Sequence, residues 1–316
     1  MLARFRAWWI KLSKPLHAAI MTLLPVVLAL IIVATLGYLL HWDWTGLGGK
    51  KLWDWLQLLI IPAVLAIGGY LFSLANSSTE QEIALNNQHE ATLQDYLDKI
   101  SELLLEKHLR KSPIDDEVRT IARVRTLTVL RRIDGERKAS VLRFLYESDL
   151  INKDKPIIHL EDADLSEADL IVANLSGADL SKAHLFKANL NSANLSHANL
   201  LEAGLAKACL FRANLLEANL HGASLLHTEL RAANLHGADL SEADLSKADL
   251  SGGFDLGPTG FYWDEPVWRV TDLSEADLSK ANLSGADLGG ATIAPEELDK
   301  AKSLKGATMP DGTIHL

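Results

Sequence analysis

The chain has few of the residues on which covalent cross-linking or catalysis would depend. Its 316 residues include one cysteine, Cys209, so no disulfide can form within the chain and a reducing compartment is expected. The sequence has no G-x-G-x-x-G segment, no phosphate-binding G-x-x-x-x-G-K-[ST] loop and no Ser-His-Asp or Cys-His arrangement. It therefore indicates a protein that is not an enzyme and holds no cofactor.

Formal charge is missing from two long segments near the N-terminus, Leu16 to Leu40 and Leu56 to Ala75. Each is at least as long as the ~20 apolar residues that a helix needs to cross the hydrocarbon core of a bilayer. Six tryptophans lie just outside these segments, as interfacial aromatic residues do: Trp8, Trp9, Trp42, Trp44, Trp53 and Trp55. Residues 1–75 are therefore predicted to be a short tail and two transmembrane helices, at about 16–40 and 56–75.

Basic residues give the orientation of this predicted hairpin. Four of them precede the first segment: Arg4, Arg6, Lys11 and Lys14. Positively charged flanks stay on the cytoplasmic side, so the N-terminus and everything after residue 76 are expected in the cytoplasm. The expected location is the cytoplasmic (inner) membrane of a bacterium.

Residues 76–156 are predicted to form a helical neck. Leu93, Leu97, Ile100 and Leu104 recur at steps of 4, 3 and 4, a stripe that would pack against another helix of the same subunit or pair two neck helices in an oligomer. The arginine-rich helix that follows would bind an anionic surface or pair with acidic residues farther along the chain. A last helix, from Glu136 to Ile151, is expected to cap the remaining domain.

The remaining domain, residues 157–316, is dominated by a five-residue repeat. Leucine stands at every fifth position from Leu160 to Leu250, and alanine precedes it by two residues from Leu165 onward, except at Thr228. On an α-helix a five-residue step would scatter the leucines around the whole cylinder, and on a flat strand successive leucines would point to opposite faces. Only a chain that bends once per repeat turns all of them inward, so a solenoid is predicted.

The run ADLSEADLIVANLSGADLSKAHL, which begins at Ala163, resembles the pentapeptide-repeat family. The resemblance implies a right-handed quadrilateral β-helix with four five-residue sides and about twenty residues per coil. It implies no catalytic residue, and family members are mostly binding or structural proteins. The fold class is therefore expected to be a mainly β solenoid, preceded by the helical neck and the transmembrane hairpin.

With twenty residues per coil, several polar positions are predicted to stack. Asn174, Asn194, Asn214 and Asn234 would form an amide ladder. Residues 157–316 contain 11 Lys and Arg against 24 Asp and Glu, yet one side is predicted to carry a basic stripe with apolar neighbours. That stripe is a possible partner-binding surface and comprises Phe186, Lys187, Lys207, Leu226, His227 and Lys247. Five histidines of the solenoid never fall twenty residues apart, so no metal site is expected.

The repeat is interrupted once, from Gly252 to Thr271, where an irregular coil with a protruding loop is predicted. This aromatic insertion contains Phe254, Phe261, Tyr262, Trp263 and Trp268. Four of these, Phe261, Tyr262, Trp263 and Trp268, are candidate partner-binding residues if the insertion is a docking loop. In the alternative, the aromatic side chains fold back over the solenoid wall as a plug. Residues 294–316 are expected to cap the C-terminal end.

Three functions remain open at this point. The first is a membrane-anchored scaffold that binds an unknown cytoplasmic protein. The second is an accessory or regulatory subunit of a membrane channel or transporter, although no Asp, Glu, Lys or Arg lies within the predicted spans. The third is a DNA mimic that protects a topoisomerase. It is disfavoured by the predicted anchor and by central leucines where such mimics often use phenylalanine. Nucleic-acid binding is not expected.

The narrow interior predicted for the solenoid gives a first test. Replacement of Ala213 by leucine would overpack the centre of a coil and is expected to lower the free energy of unfolding by about 1–3 kcal/mol. Thermal unfolding followed by circular dichroism measures this change. An unchanged melting temperature would contradict a solenoid with inward-facing alanines.

Overall fold

The computed structural model describes residue 32 and residues 35–36, 52–152, 156–255 and 267–316. Its helices and strands are, in chain order, α1 (Leu52–Leu105), a 3-10 turn (Leu109–Lys111), α2 (Glu117–Leu130), α3 (Gly135–Glu147), β1 (Gly253–Asp255), β2 (Val267–Arg269) and α4 (Pro295–Leu298). The chain divides into two compact units, residues 1–87 and 88–316. The second unit contains the neck helices and the repeats.

Helix α1 joins two segments that the sequence predicts separately. The expected second transmembrane helix, 56–75, and the first neck helix, from residue 76, are parts of one helix of 54 residues. The expected first span, 16–40, lies outside the described residues apart from Ile32, Thr35 and Leu36. Among the helices that the structure describes, none combines the length and the apolar composition of a membrane span.

The repeats form a solenoid with a coil of twenty residues, as predicted. Each coil meets the next through isolated parallel bridges between residues twenty apart, such as Asp169 with Asn189 and Asn189 with Cys209. The side chains of Leu165 and Ala168 are fully buried, and so are almost all their equivalents along the column. Few strands result, because each side of a coil contributes only a single bridged residue between two turns.

The turns between sides have a backbone conformation that the sequence analysis did not predict. In each repeat the residue before the alanine has a positive φ, for example 58° at Glu167 and 57° at Val172. The amide of the alanine then donates to the carbonyl of the leucine three residues earlier, as Ala168 does to Leu165 at 3.2 Å. This is the pattern of a type II turn, which usually has glycine at the left-handed position. Most of these positions are nevertheless occupied by other residues.

Side-chain ladders run along the coils as predicted. Asn194 Nδ2 donates to Asn174 Oδ1 at 3.2 Å, Asn214 to Asn194 at 3.2 Å, and Asn234 to Asn214 at 3.0 Å. A second ladder joins Asp179, Asn199 and Asn219. Amide side chains that donate to one neighbour and accept from the other hold successive coils in register.

The coil at the interruption of the repeat is regular, so the expectation of an irregular coil was wrong. Asn234 bridges Asp272 and Asp249 bridges Asp287, so residues 38 apart take the place of residues 20 apart. The coil therefore closes normally, and eighteen extra residues leave it at one corner. They begin and end as the antiparallel pair of β1 and β2, with Gly253 opposite Arg269.

The neck helices pack against one another within the chain. Of the predicted stripe, Leu93 and Ile100 are buried, and Leu97 and Leu104 pack against the same core partly buried. Tyr96 was not predicted to be buried, but its hydroxyl lies 2.9 Å from Thr126 Oγ1 in α2. The stripe is therefore used for packing within the subunit.

Helix α3 packs on the first coil, and its first residue makes a close backbone contact. Asp134 is the N-cap and accepts from the amide of Arg137 at 3.0 Å. The carbonyl of Gly135 accepts from the amide of Asp169 at 3.1 Å, and a Cβ at this glycine would lie 2.0 Å from the carbonyl oxygen of Glu167. Only glycine allows this approach, which gives one backbone amide at the open end of the solenoid a partner.

At the C-terminal end, α4 replaces one side of the last coil. Asn282 bridges Ser303 and Asp287 bridges Thr308, so these partners are 21 residues apart, one more than in the regular coils. The final residues turn back, and Thr308 pairs antiparallel with Ile314. This reversal interrupts the stacking of parallel coils.

The contact of Gly135 with the first coil gives a second prediction. Gly135→Ala is expected to lower the free energy of unfolding by about 3 kcal/mol, because the added methyl group overlaps backbone atoms that cannot rotate away. The control Ser140→Ala lies on the exposed side of α3 and is expected to change stability by less than about 0.5 kcal/mol. Equal melting temperatures for the two variants would show that α3 does not cap the coil in this way.

The left-handed turn positions give a third prediction. Val172 is β-branched at φ 57°, so Val172→Gly is expected to raise the free energy of unfolding by about 1 kcal/mol. Ile171, its exposed neighbour in the same turn, has no positive φ. Ile171→Gly is therefore expected to destabilise by about 0.5–1 kcal/mol. Chemical denaturation measures both changes, and a loss of stability in both variants would contradict the turn geometry.

Candidate functional site

One corner of the solenoid carries the basic stripe that the sequence predicts. We call it the basic corner and define it as Phe186, Lys187, Lys207, Leu226, His227 and Lys247. Its basic residues, Lys187, Lys207, His227 and Lys247, occupy the left-handed turn position of successive coils, with φ between 56° and 60°. The turn therefore projects them outward one above another, and all four are exposed.

An aromatic ring lies among the lysines of the basic corner. Lys187 Nζ is 5.3 Å from the centroid of the Phe186 ring, and Lys207 Nζ, from the next coil, is 5.8 Å from it. Phe186 is 40% exposed, so part of its apolar surface stays available to a partner. Lys187 Nζ also lies 3.6 Å from Glu167 Oε1. The cation–π contacts hold two positive charges close to an exposed apolar surface.

A groove of about 490 Å³ lies beside the basic corner, next to the end of α2. It is lined by Arg131, Asp164, Ser166, His184, Phe186, Gly204 and Ala206. Sequence analysis considered Arg131 only as part of the arginine-rich helix and His184 only as a possible metal ligand, and it did not consider Gly204. The signal for two of them was present, because His184 and Gly204 stand where the repeat normally has aspartate or asparagine.

The acidic residue of this groove is already paired. Lys138, which is buried in α3, donates to Asp164 Oδ1 at 3.2 Å and to the carbonyl of Ser166 at 2.9 Å. Burial opposes ionisation of Asp164, but the amide of Ser166 and the charge of Lys138 outweigh it, so the pKa of Asp164 lies below its ordinary value. The carboxylate is therefore ionised at neutral pH, and its charge is balanced by Lys138.

The aromatic insertion leaves the solenoid at the corner that follows the basic corner in the same coil, after Leu250 and Ser251. Phe261, Tyr262 and Trp263 lie outside the described residues, and the backbone of Trp268 pairs with Phe254 in the β1–β2 ladder. The structure thus places Trp268 at the base of a hairpin. Whether the insertion docks a partner or covers the wall stays a prediction.

The remaining ionisable residues of the solenoid serve mainly to pair neighbouring coils. His159 lies 3.2 Å from Asp179, and His197 lies 3.2 Å from Glu217. Within the part of the chain that the structure describes, no three His, Cys, Asp or Glu residues come together to hold a metal ion. Burial and the neighbouring Glu229 raise the pKa of the Cys209 thiol, so this cysteine is not activated as a nucleophile.

Comparisons with known proteins bear on the repeats. A family model described as pentapeptide repeats matches eight copies, over residues 163–201, 178–215, 213–252 and 269–293. HetL, a pentapeptide repeat protein involved in heterocyst differentiation regulation in the cyanobacterium Nostoc sp. strain PCC 7120, is 37% identical. The match covers 50% of this chain and 77% of HetL, with a TM-score of 0.23.

Two further solved structures share the repeat. A second pentapeptide repeat protein of Nostoc PCC 7120 is 33% identical over 35% of this chain and 77% of its own, with a TM-score of 0.16. QnrB1, a plasmid-mediated fluoroquinolone resistance protein, is 22% identical over 46% of this chain and 67% of its own, with a TM-score of 0.27. A comparison with curated protein sequences gave no significant match.

These superpositions carry no weight, because the TM-scores are all below 0.5. The assignment depends instead on the repeat motif and on the sequence identity to HetL, most of whose length is matched. Both agree with the twenty-residue coil and its buried leucine column. The chain belongs to the pentapeptide repeat family.

Proposed function

We propose that the protein is a non-enzymatic interaction module that binds an acidic segment of a partner protein through the basic corner. The observation that carries this proposal is the placement of Lys187 and Lys207 against the exposed ring of Phe186. Charge and apolar surface at one place favour a peptide that has both acidic and apolar side chains. Leu226, which lies two coils after Phe186, extends the apolar part of this surface.

The charge of the rest of the solenoid adds specificity. Residues 157–316 carry 24 Asp and Glu against 11 Lys and Arg, so most of the surface repels an acidic partner. The basic corner is then the place where such a partner is not repelled, and electrostatic attraction orients the encounter. Binding of this kind weakens as salt is added, because exposed charges are screened.

The proposal includes a location. The uncharged segments 16–40 and 56–75 and their flanking tryptophans are the features that support a membrane anchor. With the N-terminus in the cytoplasm of a bacterium, two spans would hold the repeats at the inner face of the cytoplasmic membrane. The protein would then gather a cytoplasmic partner at the membrane, as a scaffold or as the accessory subunit of a membrane assembly.

Removal of the two stacked lysines tests the interaction surface. In the double variant Lys187→Gln and Lys207→Gln, affinity for a fluorescein-labelled peptide of alternating glutamate and leucine is expected to fall about tenfold, because two charge-assisted contacts are lost. Fluorescence anisotropy with the full-length protein in a mild non-ionic detergent measures it. Binding by the unmodified protein should also decrease between low and high salt.

The matched control is the double variant Lys182→Gln and Lys280→Gln. These lysines occupy the same left-handed position, at φ 55° and 60°, but at another corner, where they pair with Glu161 and Glu242. The control removes the same charge and should leave the affinity unchanged. Equal losses in the two double variants would mean that net charge, rather than the basic corner, determines binding, and the proposal would fail.

A further inference from the structure

Most repeats contain a hydrogen bond that is missing on one side of three successive coils. The aspartate or asparagine before the central leucine accepts from the amide two residues later, as in Ser176 to Asn174 at 3.2 Å and Ser241 to Asp239 at 3.0 Å. On the side that leads to the basic corner, this acceptor is replaced in successive coils by His184, Gly204 and Ser224. Within the described part of the chain, no acceptor faces the corresponding amides of Phe186, Ala206 and Leu226.

Two of these amides belong to residues that line the groove. In the repeats that keep the aspartate or asparagine, the equivalent amide points at this side chain on the outer surface of the turn. At Phe186 and Ala206 it therefore points into the space that this side chain would fill. The space is empty at Gly204, where an added Cβ would meet only the carbonyl oxygen of Ala183, at 3.9 Å. The substitution of one residue type has thus opened a cavity with donors in its wall.

The charges around these donors are positive overall. Arg131, at the end of α2, lines the groove and is exposed, and no ion pair with it is formed within the described residues. The same holds for Lys207, which contacts only the ring of Phe186. The charge of Asp164 is balanced by Lys138. Backbone amides without acceptors, next to unpaired cations, form a site that favours an anion.

We propose that this groove is a carboxylate-binding site, in which the amides of Phe186 and Ala206 donate to one acidic side chain of the partner. Arg131 and Lys207 supply the charge, and the Phe186 ring contacts the hydrocarbon part of the same side chain. The inference rests on the proposed function and states which part of the corner recognises the acidic segment. A phosphoryl group has related chemistry, and the experiment separates the two.

The test restores the missing acceptor. Gly204→Asn introduces a residue that the repeat usually has at this position. Its side chain accepts a hydrogen bond from the amide of Ala206 and fills the groove there without a change in charge. Gly204 has no positive φ and no close neighbour, so the variant should fold, with a melting temperature at least equal to that of the unmodified protein. Affinity for the labelled glutamate–leucine peptide is expected to fall about tenfold, the effect of losing a hydrogen bond to a charged group.

The control Cys209→Asn introduces the same residue on a different side of the solenoid, where the amide of Phe211 already donates to Asn191 Oδ1 at 2.9 Å. It should bind the peptide within about twofold of the unmodified protein, a change smaller than the loss of one neutral hydrogen bond. A second variant, Arg131→Gln, tests the groove from α2, outside the repeats, and is expected to weaken binding about fivefold, as loss of one partly exposed charge contact does. If Gly204→Asn binds as tightly as the unmodified protein, the groove is not the site.

Competition identifies the anion. Acetate and inorganic phosphate are each added in excess to the complex of the protein with the labelled peptide. Displacement of the peptide by acetate supports the carboxylate assignment. Displacement by phosphate alone overturns it.

The two proposals fail in different ways. Loss of binding in Lys187→Gln with Lys207→Gln but not in Gly204→Asn would overturn the groove and leave the basic corner. Full binding by the double lysine variant and by Gly204→Asn would overturn both proposals.

Discussion

Every other feature of this protein depends on the corner that the chain makes after each fifth residue. The corner needs a residue in the left-handed region, at φ near 57° in most repeats, and it allows leucine and alanine to point inward from all four sides. An unfavourable backbone conformation recurs in every repeat, and burial of a leucine at about 2 kcal/mol offsets it each time. Hydrogen bonds between coils then satisfy the backbone along the column.

The same constraint explains where specificity can arise. The inward positions and the ladder positions are fixed by the coil, since changes there create cavities or break hydrogen bonds between coils. The outward turn positions are free, and the basic corner uses them. Some ladder positions have given up this hydrogen bond, as at His184, Gly204 and Ser224. Such a departure exposes backbone donors, so it has a chemical consequence as well as a structural one.

The helical neck solves a different problem, the open end of a stack of coils. The first coil would expose unpaired backbone groups and leucines, and α3 covers them through Leu142, Leu145 and the close contact of Gly135. A network joins the neck to this cap: Asp134 accepts from Arg137 and lies 3.0 Å from His89, while Arg137 also donates to Glu90 at 3.0 Å. Arg131, which follows α2 in the neck, lines the groove beside the first coils.

The sequence by itself determined the repeat, because a leucine at every fifth position is compatible with only one kind of backbone path. Together with the twenty-residue coil that the family resemblance implies, it also determined the asparagine ladder and the basic stripe, since residues such as Lys187 and Lys207 then lie one above the other. The left-handed turns could not be read from it, because glutamate, lysine and valine at those positions have no intrinsic preference for positive φ. Tertiary structure alone decided how the insertion leaves the coil, since its length of eighteen residues follows from which coils pair across it. Tertiary structure also decided the contact of Gly135 and the groove beside Arg131, because both join segments that are distant in the chain and meet only when the cap closes the first coil.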